Sequence, residues 1–340
     1  MRKIRVEEAV GAVLMHDMTE IIPGKSKGPR FRKGQVIREE DIPVLLQMGK
    51  QHIYVWDQIP GLVHEDEAAL RLAKAVSGPG IELSAPKEGK VTLKATHKGL
   101  IYVAEDTLLA LNSLEYIVVS TLHSHRPVEA GQILAGTRVV PLMIEEKIIA
   151  EAEHVAASYS EPILQVRSLH EFRVGIVTTG SEVYHGRIQD KFGPVLKQKV
   201  TSWGSKVIGQ SFADDDVSII QTKIREHLQS GAEMILVSGG MSVDPDDVTP
   251  TAIKEMGGEL VTYGSPVLPG AMFLLAYLDG VPVLGLPGCV MYSATTVFDL
   301  IAPRLLTGEK LSRRDIAQLG HGGLCMECPE CTYPHCAFGK

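Results

Sequence analysis

The sequence predicts an α/β protein: a three-layer domain with a mostly parallel sheet over residues 171–310, preceded by small mixed α+β and β-barrel-like modules and followed by a Cys-rich tail. Three observations lead there. From Phe172 onward, apolar β-branched runs alternate with stretches of helical spacing, the pattern of parallel strands joined by helices. Before that point the apolar runs are short and separated by turn residues. At the end, Cys325, Cys328, Cys331 and Cys336 crowd into one short segment.

The bulk properties narrow the field. The chain has 340 residues, 44% of them hydrophobic and 22% charged, enough apolar material for two or three globular domains. A net charge of -7 argues against a general nucleic-acid binder, which needs a basic surface. The basic start Arg2-Lys3 meets Glu7 and Glu8 at once, so no signal-type apolar stretch develops. The longest apolar run, Ala271 to Leu278, is too short to span a bilayer. The expectation is a soluble, cytoplasmic protein with no membrane and no nucleic-acid partner.

Residues 1–80 read as one α+β module. It holds a strand over His52 to Trp56, a helix over about 64–76, and a break at Ser77-Gly78-Pro79-Gly80. Residues 81–170 read as a small β-rich module with strands at 91–96, 100–104 and 116–121, punctuated by Gly89, Gly99 and Asn112. Helical spacing then sets in over 139–157.

In the 171–310 domain, 172–179 is a strand, Lys191 to Trp203 a helix, and 206–212 a strand. Asp215 to Gln229 is an amphipathic helix with Val217, Ile220, Ile224 and Leu228 on one face, capped by Asp214 or Asp215. Residues 233–238 form a continuous apolar strand of the kind buried on both faces. Asp279-Gly280 marks a hairpin, and Met291 to Leu305 a closing helix. The tail 311–340 is a separate appendage.

Ligands of such sheets bind beyond the carboxyl ends of the strands, where three loops qualify. In the first, Thr178, Thr179, Gly180, Ser181 and Glu182 offer hydroxyls and backbone N–H groups to an anion. In the second, Ser238, Gly239, Gly240, Met241 and Ser242 lead into Asp244, Asp246 and Asp247, and Thr249-Pro250 opens a helix with Thr249 as its cap. Clustered carboxylates repel phosphate unless Mg²⁺ lies between them, so Asp246 and Asp247 suggest a hard-metal site. The third is Leu286-Pro287-Gly288, with a related turn at Pro269-Gly270.

The ordered set TTGSE, SGG-M-S-V-D-P-D-DVTP, VLPGAMF and VLGLPG resembles the molybdopterin-binding domain of the MoeA, MogA, MoaB and gephyrin family, over about 172–308. The resemblance implies a MogA/MoaB-like fold, molybdopterin as ligand or substrate, and a pterin phosphate handled with ATP and Mg²⁺ or with molybdate. By position, Glu182 resembles the acidic residue of the family's TG-x-E loop, Asp247 the aspartate closing its GG-rich loop, and Asp214 to Asp216 a further acidic cluster; Asp247, Glu182 and Asp246 are then the catalytic candidates. DVTP leans toward MogA and MoaB, Ser242 toward MoeA. Leu268 and Ala271 stand where MoeA-type sequences carry lysines, and Cys289-Val290 replaces Asn-Pro.

The resemblance also implies a homo-oligomer. The double aspartate before Val-Thr is similar to CinA-type nucleotide pyrophosphatases. Residues 28–46 resemble a SAF-type module, and Lys25, Lys27, Arg30, Arg32 and Lys33 read as a solvated loop, with an anion-binding surface as the alternative.

The tail spacing, C-x2-C-x2-C-x4-C, suits Zn²⁺ or an Fe–S cluster, with His321 and His335 as substitute ligands. Metal binding is the favoured reading, its role being structural, redox or the docking of a partner such as a molybdoenzyme. Three functions follow from these readings: an enzyme of cofactor synthesis (molybdopterin adenylyltransferase or molybdotransferase), a non-catalytic cofactor carrier or sensor, and a CinA-like pyrophosphatase.

Overall fold

The computed structural model describes residues 2–22, 26–55 and 60–340. Lys25 and Trp56, and the side chain of Lys27, lie outside the described residues. Two compact units emerge. The first comprises residues up to Thr96, Val103–Leu122 and Ala130–Gln165; the second comprises His97–Tyr102, His123–Glu129 and Val166–Lys340.

In the first unit, Val6, Leu14, Phe31, Ile37, Leu45 and Ile53 form a small core. Strand Arg2–Arg5 pairs antiparallel with His52–Val55, and Met18–Ile22 with Ser26–Phe31. The helix Glu65–Val76 is capped by the His64 side chain, which accepts from the Asp66 N–H. A four-stranded antiparallel sheet runs in the order Ile81–Leu83, Lys90–Ala95, Ile133–Val139, Ile117–Thr121. The buried Thr137 hydroxyl of that sheet donates to the Ala69 carbonyl of the helix. Most of residues 81–165 therefore share one unit with the N-terminal stretch.

Residues Glu105–Asn112 form a helix the sequence reading passes over, because its eight residues end in a turn-like Asn. The Asn112 amide brackets the Val119 backbone, donating to its C=O and accepting from its N–H. Lys33 is held by Asp66 at 2.7 Å, which argues against its availability to an anion.

In the second unit, six strands form a mixed sheet. They are β1 (Arg173–Thr179), β2 (Lys206–Ala213), β3 (Met234–Ser238), β4 (Glu259–Tyr263), β5 (Leu274–Leu278) and β6 (Val281–Leu286). The order is β2-β1-β3-β6-β5-β4. The pairs β1–β2, β1–β3 and β3–β6 are parallel; β5 is antiparallel to both β6 and β4. The helices are α1 (Ser181–Tyr184), α2 (Phe192–Ser202), α3 (Val217–Gln229), α4 (Thr249–Glu255), α5 (Val297–Leu306) and α6 (Arg313–Gln318).

Side-chain alternation along β3 and β5 splits the core into two faces. Leu236 and Leu275 pack with Leu196, Val200, Phe298 and Ile301 of α2 and α5. Ile235, Val237, Leu274 and Ala276 pack with Ile220, Ile224 and Ile253 of α3 and α4. The domain is therefore three-layered, as expected. Gly175 and Gly209, paired across β1 and β2, make room for the buried His227 of α3; a Cβ on Gly175 would lie 2.7 Å from its Cγ.

Three boundaries differ from expectation. Asp216 caps α3, accepting from Ser218 and Ile219 N–H at 2.8 and 3.0 Å, which leaves Asp214 and Asp215 for other partners. Thr249 lies inside α4 and makes no cap hydrogen bond. The closing helix begins at Val297 rather than Met291, because Thr296 and Asp299 form a capping box there. The tail is also not a separate appendage: Leu311, Ile316 and Phe338 join the α2/α5 core. No helix among the described residues is long and apolar enough to cross a membrane.

Candidate functional site

The carboxyl ends of β1, β2 and β3 meet at one cavity of 740 Å³. Each end reaches it through its own turn. At the end of β1, Thr178 and Thr179 are buried. Thr178 Oγ1 accepts from Gln210 Nε2 at 3.0 Å, and Thr179 Oγ1 lies 3.1 Å from Thr249 Oγ1. The chain then turns at Gly180 into α1, where Ser181 N–H donates to Asp215 Oδ2 at 2.8 Å. This bond ties the first loop to the end of β2.

The end of β3 depends on two glycines. Gly239 and Gly240 adopt φ of +96° and +57°, and a Cβ on Gly239 would stand 2.4 Å from the Thr179 carbonyl oxygen. The following loop closes on itself, with Asp244 N–H donating to Asp247 Oδ2 at 3.0 Å. Tyr263 Oη donates to the Met241 carbonyl at 3.1 Å and holds the loop from β4.

The electrostatics are set by acid crowding. Burial raises the Asp215 carboxyl above its ordinary range, and the neighbouring Glu182, Asp214 and Asp246 carboxylates push the same way against the Ser181 N–H. Asp214 goes the other way: the Asp215 backbone N–H lowers it, and His185 at 3.3 Å contributes.

Of the predicted residues, Thr179 to Glu182, Asp215, Gly239, Gly240, Asp246 and Asp247 line this cavity. Thr178, Ser238 and Thr249 support it from beneath through buried hydroxyls. Asp214 faces His185, Met241 is buried against Gly285, and Ser242 is exposed outside the lining. Leu286, Pro287 and Gly288 do not line it, although Met291 just beyond them does.

Pro269 and Gly270 are placed elsewhere. Their turn holds the C-terminal segment, with Leu268 N–H donating to Gly323 C=O and Cys325 N–H to Leu268 C=O, each at 2.8 Å. The turn therefore supports the tail and lies outside the lining of the acidic cavity.

Sequence reasoning missed the stretch from Arg187 to Phe192, which brings Arg187 and Lys191 to the acidic cavity. Asp190 folds that stretch back. Its Oδ1 accepts from the Phe192 N–H at 2.9 Å, and its Oδ2 accepts from Gln210 Nε2 at 2.6 Å. The only local signal was an aspartate just ahead of a helix.

All four tail cysteines line a second cavity of 390 Å³. Cys325 and Cys336 pack against the core, while Cys328 and Cys331 are exposed. Cys331 Sγ lies 3.3 Å from Thr295 Oγ1. His321 and His335 are outside the lining. Among the described residues, no three His, Cys, Asp or Glu side chains are placed to hold a single metal ion, at the tail or at the acidic cavity.

Comparison with known proteins places the second unit. Residues 175–307 match the family of the probable molybdopterin binding domain, and residues 3–57 match a domain of unknown function. A CinA-like protein of Mycobacterium tuberculosis is 33% identical over 90 residues, covering 26% of this chain and 21% of that protein. A CinA-like protein of Mycobacterium leprae is 34% identical over 77 residues, covering 23% and 18%. The chain thus spans about a fifth of the length of these curated relatives. Among solved structures, the molybdopterin biosynthesis enzyme MoaB of Thermus thermophilus is 22% identical, covers 41% of this chain and 98% of its own, and gives a TM-score of 0.35. The tungsten cofactor synthesizing protein MoaB of Pyrococcus furiosus is 20% identical, covers 35% and 84%, and gives 0.32.

Proposed function

We propose that this chain, which carries a probable molybdopterin binding domain over residues 175–307, binds a molybdopterin-type pterin phosphate in the 740 Å³ cavity and acts on it in cofactor synthesis by nucleotidyl transfer. One observation carries the reading. Three strand ends bring Glu182, Asp215 and Asp246 to the same cavity as the Gly239-Gly240 turn. Carboxylates this crowded repel a phosphate; Asp215, raised first by burial, is raised further by Glu182, Asp214 and Asp246. These carboxylates suit a phosphate only together with a divalent cation.

The donor set fits Mg²⁺. It offers hard carboxylate oxygens, and Mg²⁺ usually takes one or two of these and completes its shell with water and substrate phosphates. One or two of Glu182, Asp215 and Asp246 would hold the cation together with substrate phosphates, and when bound it neutralises charge on the phosphate oxygens. Arg187 and Lys191 supply the remaining positive charge, and the backbone N–H groups of the glycine turn position the terminal phosphate.

A second reading is favoured by the CinA-like relatives: hydrolysis of a nucleotide pyrophosphate in the same cavity. Incubation of the chain with molybdopterin, ATP and Mg²⁺, followed by mass analysis of the recovered pterin, separates the readings. Adenylylated pterin is the expected product. Pterin bound and returned unchanged would make the chain a carrier, and nucleotide hydrolysis without any pterin requirement would install the pyrophosphatase reading instead.

A further inference from the structure

The last segment of the chain closes on its own start. Gly339 N–H donates to Gly322 C=O at 3.0 Å, and between them the chain forms no helix and no regular strand. This loop is nevertheless firmly held. Leu324 bridges in parallel to Leu268, Phe338 is buried in the core, and Arg126 donates to the Cys336 carbonyl at 2.5 Å. All four of its cysteines are unpaired and line one cavity.

The four thiols share one cavity without three of them converging on a single point, a wider spread than the tetrahedron of a structural zinc ion. The 390 Å³ equals on the order of ten water volumes. Three cysteines follow one another at x2 spacing, the run with which ferredoxin-type chains hold three irons of one cluster. The fourth, Cys336, returns to the cavity after the turn at Tyr333-Pro334. On the inner side the lining includes the buried Phe338 with Tyr333 and Ala337, while the side at Cys328 and Cys331 is open to solvent.

We infer that Cys325, Cys328, Cys331 and Cys336 bind a [4Fe–4S] cluster in this cavity. The site is independent of the pterin reading. Tyr292 to Thr295 and Cys331 line both this cavity and a neighbouring one of 680 Å³, and Met291 lines both that neighbour and the acidic cavity.

The test is anaerobic reconstitution of the full chain with ferric iron and sulfide, the added thiol reducing half of the iron to the ferrous state as it is oxidised to disulfide. The expected result is about four irons and four sulfides per chain, with visible thiolate-to-iron absorption that bleaches on reduction. Cys328→Ala and Cys331→Ala alter exposed side chains, so they should keep the native circular dichroism while losing most of the iron and the absorption. Cys289→Ala should retain both. One zinc per chain with no visible absorption, failure to retain iron, or full iron in the Cys328→Ala and Cys331→Ala chains would each overturn the assignment.

Discussion

The Thr179 hydroxyl lies 3.1 Å from the Thr249 hydroxyl, and both side chains are buried. The contact joins the end of β1 to the first turn of α4, spanning the Gly239-Gly240 turn between them. Thr249 N–H also donates to the Gly240 carbonyl at 3.2 Å. Two loops distant in sequence are thereby fixed to each other beneath the cavity.

Replacing Thr249 by Val removes one partner of a buried hydrogen bond. Thr179 keeps a 3.4 Å contact to the Ser238 carbonyl, so the expected loss is at the low end for such a deletion, about 1 kcal/mol. Urea unfolding of Thr179→Val, Thr249→Val and the double variant checks the coupling. The double variant should lose less than the sum of the two singles. Strictly additive losses would mean that the two hydroxyls act independently.

Gly239→Ala places a methyl 2.4 Å from a backbone oxygen in a conformation that L residues rarely adopt. The turn must move, and pterin affinity should fall at least tenfold. Gly288, singled out by its place in a similar-looking motif, has open space around its Cβ position. Gly288→Ala should therefore bind the pterin as the parent does. Isothermal titration of both variants decides the matter, and equal losses would move the site toward the Leu286-Pro287-Gly288 turn.

The sheet was legible because strands buried on both faces read as unbroken apolar runs, as over Met234–Ser238. The hairpin at Asp279-Gly280 was legible because turn chemistry is local. What failed depended on tertiary context. Met291 to Thr296 reads as the start of a helix, yet the Thr296–Asp299 capping box starts α5 later. Pro269-Gly270 looks like the other glycine turns, and only the fold shows that it carries the tail. Arg187 and Lys191 reach the cavity because Asp190 bonds to a glutamine on β2, a contact that no spacing encodes.

Asp215 gives a prediction with a definite sign. Its folded carboxyl is raised, so above its unfolded value of 3.8 the folded state holds the proton more tightly than the unfolded chain does. Stability then falls as pH rises through the raised range, and the penalty is complete at neutral pH. Asp215→Asn removes that penalty, and its amide oxygen can still accept from the Ser181 N–H. At pH 7 its melting temperature should equal or exceed the parent's, while Mg²⁺-dependent binding of the pterin weakens. Thermal unfolding with and without Mg²⁺ reads both effects, and a lower melting temperature without Mg²⁺ would show that the carboxylate is structural.

His125 gives the opposite pH dependence. Its Nε2 is buried without a hydrogen-bond partner among the described residues, and its ring meets Tyr102 edge-on at 5.7 Å. Burial drives its pKa down from 6.5 to about 4, and the Arg304 guanidinium adds to the fall. As pH drops below 6.5 the unfolded chain takes up a proton that the folded chain refuses until about pH 4. The unfolded state therefore binds more protons in that window, and stability declines across it. The loss approaches at most about 3 kcal/mol at the acid end and is absent above neutrality. Asn tolerates the positive φ of 60° found at this position, so His125→Asn should keep the fold and flatten the stability profile between pH 6.5 and 5, above the range where most carboxylates titrate. Urea midpoints across that range are the measurement; an unchanged slope would mean that His125 takes up its proton in the folded protein as readily as in the unfolded chain.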